Sequence, residues 1–137
     1  MIAGATASIM LVILALIHVY WASGGTIGKS AAIPKRDGKP LFAPTPFTTF
    51  LVALGLFAMA ALNAAKIGWI AEDGISRFAD AGLWITAAIF LLRAVGDFRY
   101  VGFFKRHRDS RFAALDTVAY SPICLLLACL AAISASS

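Results

Sequence analysis

AGLWITAAIFLLRAVGDFRY, residues 81–100, is an apolar run long enough to cross a bilayer, yet it carries Arg93 and Asp97. About 20 apolar residues span the hydrocarbon layer as a helix. A charge held inside that layer costs about 2.5–3.5 kcal/mol or more, so it normally faces a bundle interior and has a partner. Residues three and four apart are neighbours on a helix surface, which puts Arg93, Gly96, Asp97 and Tyr100 on one side. The stretch predicts a buried polar site inside a membrane bundle. The rest of the chain is read by asking what those charges need.

The 137 residues are 61% hydrophobic and only 14% charged. A soluble domain carries about a quarter of its residues as charges, so lipid must supply much of the solvent here. The expected architecture is all-α: a four-transmembrane-helix bundle forming a single domain over residues 1–137, with spans at about 2–23, 47–67, 81–100 and 112–134. The net charge is +5, but the basic residues sit in short loops. That points to topology and membrane lipids as partners. A basic groove interleaved with stacking aromatics is missing, so nucleic acid is not expected. Cys124 and Cys129 are five residues apart, a rotation of about 500° on a helix, and so face different sides. They read as small packing residues.

The first span has no charged residue and lacks the basic n-region and short apolar core of a cleaved signal, so it should be retained. Gly4, Ser8 and Ala15 allow close helix approach, and Gly24 and Gly25 suit a helix end. Loop 26–46 holds Lys29, Lys35, Arg36 and Lys39 against Asp37 alone. Four prolines prevent a regular helix there. Asp37-Gly38 reads as a turn, and Thr45 before Pro46 reads as an N-cap. The second span is broken only by Asn63 and closes at Lys66 and Trp69. The next loop sets Glu72, Asp73 and Asp80 against Arg77; Asp73-Gly74 reads as a turn and Asp80 as the N-cap of the third span. In FRYVGFFKRHRDSR, residues 98–111, the aromatics suit the headgroup level, with Lys105, Arg106 and Arg108 reaching lipid phosphates as part of a solvated cluster. In the fourth span Pro122 removes a hydrogen bond to the Val118 carbonyl and predicts a kink.

Orientation follows from Lys and Arg. The first loop has four, the third has five, and the middle one has two when Lys66 is included. Loops one and three share a side, and the positive-inside rule puts that side in the cytoplasm with both termini outside. The location expected is the inner (plasma) membrane, multi-pass. His18 then lies about 7 Å from the cytoplasmic end of its helix at about 1.5 Å per residue. Arg93 and Asp97 occupy the last turns of the third span, while Asp116 and Tyr120 lie one and two turns into the fourth. Polar groups from three helices therefore reach one depth, and Asn63 falls at the opposite side. The candidate polar or ligand-binding cluster is His18, Trp21, Arg93, Asp97, Tyr100, Asp116 and Tyr120.

HVYWASGG at 18–25, RAVGDFRYVGFFKR at 93–106 and FAALDTVAYSP at 112–122 give the chain a recognisable set of motifs in fixed order. With these it resembles a family of small four-span bacterial membrane proteins known only as a domain of unknown function. The resemblance covers nearly the whole chain and implies the four-span fold. It implies no activity, substrate or cofactor.

Each residue also has a plainer reading. Arg93 with Asp97 or Asp116 can be an ion pair that fixes helix register. His18 can be a satisfied core histidine, Trp21, Tyr20 and Tyr100 belt residues, and Pro122 a kink. Three functions compete. In the first, the cluster binds or transports a small polar or anionic ligand or a lipid headgroup. Arg93 is then the anion contact, Asp97 and Asp116 its counter-charges, and His18 a proton relay. A bundle this thin suggests a homo-oligomer for transport. In the second, the chain is a structural or regulatory subunit with the cluster as glue. In the third, His18 oriented by a carboxylate does acid–base chemistry on a lipid or isoprenoid. No H-E-x-x-H, nucleophile elbow or thiol pair supports that chemistry. A metal site is not expected, and haem between two histidines is disfavoured because His107 sits in a basic loop. The cofactor, if any, is unspecified. Binding or transport ranks first, the scaffold second and the enzyme third.

Overall fold

The computed structural model describes residues 1–70 and 73–137. Helix α1 spans Ile2–Ala22, α2 Pro46–Lys66 and α3 Asp73–Val95. The fourth span is composite: α4 (Arg111–Leu115), a π-helical turn (Asp116–Tyr120) and α5 (Ser121–Ala135). All four spans are long and apolar enough to cross a membrane. A short hairpin, β1 (Lys35–Arg36) with β2 (Lys39–Pro40), lies in the first loop after a 3₁₀ turn at Lys29–Ala31.

Small residues let the helices meet. Gly4, Ala7, Ser8, Leu11 and Ala15 form the buried seam of α1, and a Cβ on Gly4 would press against Ile67 Cγ2 at 2.5 Å. Close packing of this kind replaces the hydrophobic drive that lipid cannot supply. The core joins Leu11, Ala15, Leu56, Ala60, Phe90, Leu127 and Ala128. The main pairings are α1 with α2 and α3 with α5. Outward faces carry Ile9, Ile13, Leu54, Ile85, Leu92 and Ile133, as expected where the solvent is hydrocarbon. Asn63 is fully buried, with its Nδ2 donating to the Met59 carbonyl at 3.0 Å.

Local signals set the helix ends. Thr45 caps α2, its Oγ1 accepting the Thr48 N–H at 3.2 Å, with Pro46 in the first helical position. Asp37 and Gly38 both have positive φ, 51° and 75°, the conformation a two-residue type I′ hairpin requires.

The third span departs from the sequence reading at both ends. Asp73-Gly74 opens α3 instead of making a turn. Asp80 therefore lies within the helix rather than capping it, and its carboxylate accepts from Lys66 Nζ at 2.7 Å. Glu72, and the side chains of Asp73 and Arg77, lie outside the described residues. At the far end the helix stops at Val95, not Tyr100. Gly96 takes φ +87°, and the Asp97 carboxylate captures the backbone N–H groups that a further turn would use. In the fourth span, the break at Pro122 takes the form of a π turn just before it, in which the Ser121 N–H reaches the Asp116 carbonyl. Such turns recur at functional sites.

Candidate functional site

Asp116 is the centre of the polar interior. Its side chain is fully buried, as is that of Lys105. Arg93 Nη2 donates to Asp116 Oδ1 at 2.9 Å. Oδ2 accepts from the Gly102 N–H at 2.7 Å and from Lys105 Nζ at 3.1 Å. Lys105 also donates to the Gly102 carbonyl at 3.0 Å and to Thr117 Oγ1 at 2.7 Å. An ammonium has three donors, and each is used. One carboxylate thus joins α3, the third loop and the fourth span. Arg93 Nη1 is buried and unpartnered among the described residues.

Of the two aspartates weighed as partners for Arg93, Asp116 is the one that holds it. Asp97 is exposed and turned into its own loop. Its Oδ1 accepts from the N–H groups of Arg99 (2.9 Å), Tyr100 (2.7 Å) and Val101 (3.0 Å). Desolvation opposes its charge, but the N–H groups of Tyr100, Arg99 and Val101 outweigh that and hold the carboxyl below the usual carboxylate range. The physical reason for the misreading is geometric: helical spacing places Asp97 under Arg93 only if the helix continues past Gly96. Two glycines explain why it does not. Gly96 (φ +87°) and Gly102 (φ +88°) approach so closely that a Cβ on the first would overlap the Val101 carbonyl and one on the second the Val95 carbonyl. The loop returns to the helix end, where the Phe103 N–H donates to the Ala94 carbonyl at 2.8 Å.

Lys105 is the second correction. It does not belong to a solvated headgroup cluster but lies at the centre of the network, because Asp116, Thr117 and the Gly102 carbonyl together offer its ammonium three acceptors. Arg106, His107 and Arg108 are exposed, as a headgroup-facing reading expects. Tyr100 leaves the buried cluster with Asp97. It stacks on His107 at 4.7 Å between ring centroids, and its hydroxyl accepts from Arg36 Nη1 at 3.4 Å.

His18 and Trp21 belong to a different place. His18 Nδ1 lies 2.8 Å from the Leu14 carbonyl, and its ring meets Trp21 edge-on at 5.2 Å. The carbonyl can only accept, so Nδ1 carries the proton in this bond. Neither Asp97 nor Asp116 is among its bonded partners. Trp21 Nε1 donates to the Ile27 carbonyl at 2.8 Å. Together these rings wall a cavity of about 530 Å³ between the end of α1, the first loop and the start of α2. Lys29, Ala32, Phe42, Thr45, Thr49 and Val52 are also in its lining. Mostly apolar walls with a few polar groups, at about 300–1,000 Å³, are what small-molecule sites have. Tyr120 connects the two regions. Its hydroxyl donates to the Ala31 carbonyl at 3.2 Å, next to the cavity wall at Ala32.

Sequence reading missed Lys29 and the threonines of α2, since a cavity is made by space between elements and leaves no mark on any one of them. Gly102 and Lys105 did leave a signal: two glycines bracketing a turn that opens on Asp97 foretell a tight loop, and a lysine three residues beyond it is drawn inward. Among the described residues, no group of three or more His, Cys, Asp or Glu is placed to hold a metal ion.

Four apolar spans around a buried ion network define a small multi-pass membrane protein. The chain belongs to the DUF3995 family, described as proteins of unknown function, whose model matches residues 11–131. No curated protein and no solved structure matches it.

Proposed function

We propose that this protein binds a small amphiphilic ligand at the end of the bundle formed by the first and third loops, in the cavity walled by His18, Trp21 and the start of α2. By the distribution of Lys and Arg, that end faces the cytoplasm and both termini lie outside. The observation that carries the reading is the cavity itself: about 530 Å³, lined by apolar side chains around His18 and Lys29. Phe42 and Val52 in its wall are half exposed, which supports entry of a ligand sideways from the bilayer. Arg93, Lys105 and Asp116 hold the frame around this site. Transport is a further step of the same reading, with a second copy of the chain completing the path.

The test is native mass spectrometry of the full chain purified in mild detergent. A retained small molecule is expected on the wild type and is lost in Ala32→Trp and Val52→Trp, both of which fill the cavity. Loss in neither variant, with both folded, removes the cavity as the site. One observation favours a second reading: Arg93 Nη1 is a buried donor without a partner among the described residues, as an anion contact within the cluster would be. In that case Arg93→Leu, with its two ionic neighbours also made apolar, abolishes retention and the cavity variants do not.

A further inference from the structure

The proposal that the cavity is a ligand site leaves its ligand unnamed, and the charges in its wall are one-sided. The lining contains the Lys29 ammonium and, among the described residues, no carboxylate. Among the described residues no carboxylate lies within ion-pair distance of Lys29. The other polar groups are already occupied. Thr48 Oγ1 and Thr49 Oγ1 donate to the Thr45 carbonyl at 3.0 and 2.9 Å, and Thr45 Oγ1 accepts the Thr48 N–H. The Trp21 indole is held by Ile27, and His18 Nδ1 by Leu14. The side-chain donor that remains for a ligand is the Lys29 ammonium.

An ammonium on an apolar wall is costly without a partner. Lys29 is half-buried and stands at the loop end of the cavity. Val52 lies six residues beyond Pro46, the first residue of α2, about 9 Å along that helix at about 1.5 Å per residue. The cavity is thus polar and cationic at the membrane surface and apolar towards the hydrocarbon. Resting on the reading of the cavity as a ligand site, we infer that its ligand is an amphiphile with one anionic head, held by Lys29, and a hydrocarbon chain lying along Ile33, Phe42 and Val52. A carboxylate lipid and an alkyl phosphate monoester both have this chemistry.

The full chain in phosphatidylcholine nanodiscs is titrated with palmitate, hexadecyl phosphate, hexadecanol and hexadecyltrimethylammonium. At least one anionic probe binds, and hexadecanol binds about tenfold more weakly, the scale of one charge-assisted hydrogen bond. Which of palmitate and hexadecyl phosphate binds more tightly identifies the head. Lys29→Gln brings the anion down to the affinity of hexadecanol without changing hexadecanol itself, and Lys29→Arg restores it. Equal binding of the alcohol or the ammonium probe, unaffected by Lys29→Gln, overturns the anionic assignment and leaves an apolar site standing. Failure of all four probes to bind overturns the cavity reading as well.

Discussion

Two polar regions lie towards the same end of the bundle, and they are built on opposite plans. Around Asp116, two cations and a backbone N–H close on one carboxylate, and a threonine hydroxyl takes the remaining donor of Lys105. Around His18, the polar groups are few, Lys29 has no counter-charge among the described residues, and about 530 Å³ is left open. The first region has charge and no room; the second has room and too little charge of one sign. A buried ion pair is weak evidence for stability or for chemistry, and its best-attested use is to fix register. Spare hydrogen-bonding capacity beside empty volume is the stronger mark of a site.

The largest effect is expected at Asp116. Asp116→Leu leaves Arg93 and the buried Lys105 ammonium without a counter-charge, at a cost of about 3–5 kcal/mol. Thermal unfolding in detergent should show most of the fold's stability gone. Adding Arg93→Leu and Lys105→Met to it should restore most of the loss. If the triple variant is no better than the single one, the network does more than neutralise its own charges.

Next come the two glycines of the third loop. Gly102→Ala places a Cβ against the Val95 carbonyl at a positive φ, and such strained backbone costs about 1–3 kcal/mol. Gly96→Ala should behave alike. Both should lower the unfolding temperature yet leave the affinity of the cavity nearly unchanged in the protein that stays folded. A matching loss of affinity would mean that the two regions are not separable.

Tyr120→Phe removes one hydrogen bond across the boundary between them, worth about 1 kcal/mol. Here the comparison sharpens. The bond holds the carbonyl of Ala31, beside Lys29 and Ala32, so affinity for an anionic amphiphile should fall more than the unfolding temperature does. The reverse order would assign Tyr120 to the frame alone.

Asp97 should give the smallest effect. Its carboxyl lies below the usual range in the folded chain, so its contribution is present above the unfolded pKa and lost as pH falls through the folded one. The stability gap between wild type and Asp97→Asn should be widest near neutrality and close below about pH 4, the ordinary aspartate value. A gap that persists at lower pH would show that the charge is not what the loop uses.

Much of the fold was legible because a bilayer reads sequence plainly. Long apolar runs, the Thr45-Pro46 cap and the Asp37-Gly38 turn depend on local chemistry, and local chemistry is written in order along the chain. The partnership of Arg93 with Asp116 was legible as one of two options, since a charge in hydrocarbon demands an opposite charge. Choosing between the aspartates needed the position where α3 ends. That end is set by the close approach of Gly96 and Gly102, a tertiary fact. Lys105 was misplaced because a lysine between aromatics and arginines looks like a headgroup ligand until the loop folds it inward. The cavity was not legible at all, as its wall is assembled from α1, a proline-rich loop and α2. His18 and Trp21 were picked for their depth and chemistry, not for the space between them.

The central claim is that the open region binds and the closed region holds. One side-by-side measurement tests it: retention of the co-purifying small molecule, by native mass spectrometry, in three folded variants of the full chain. Val52→Trp and Ala32→Trp should lose the molecule while keeping the wild-type unfolding temperature. The apolar replacement of Arg93, Lys105 and Asp116 together should keep the molecule even where stability changes. Retention in both tryptophan variants with loss in the triple variant would contradict the account and move the site to Asp116.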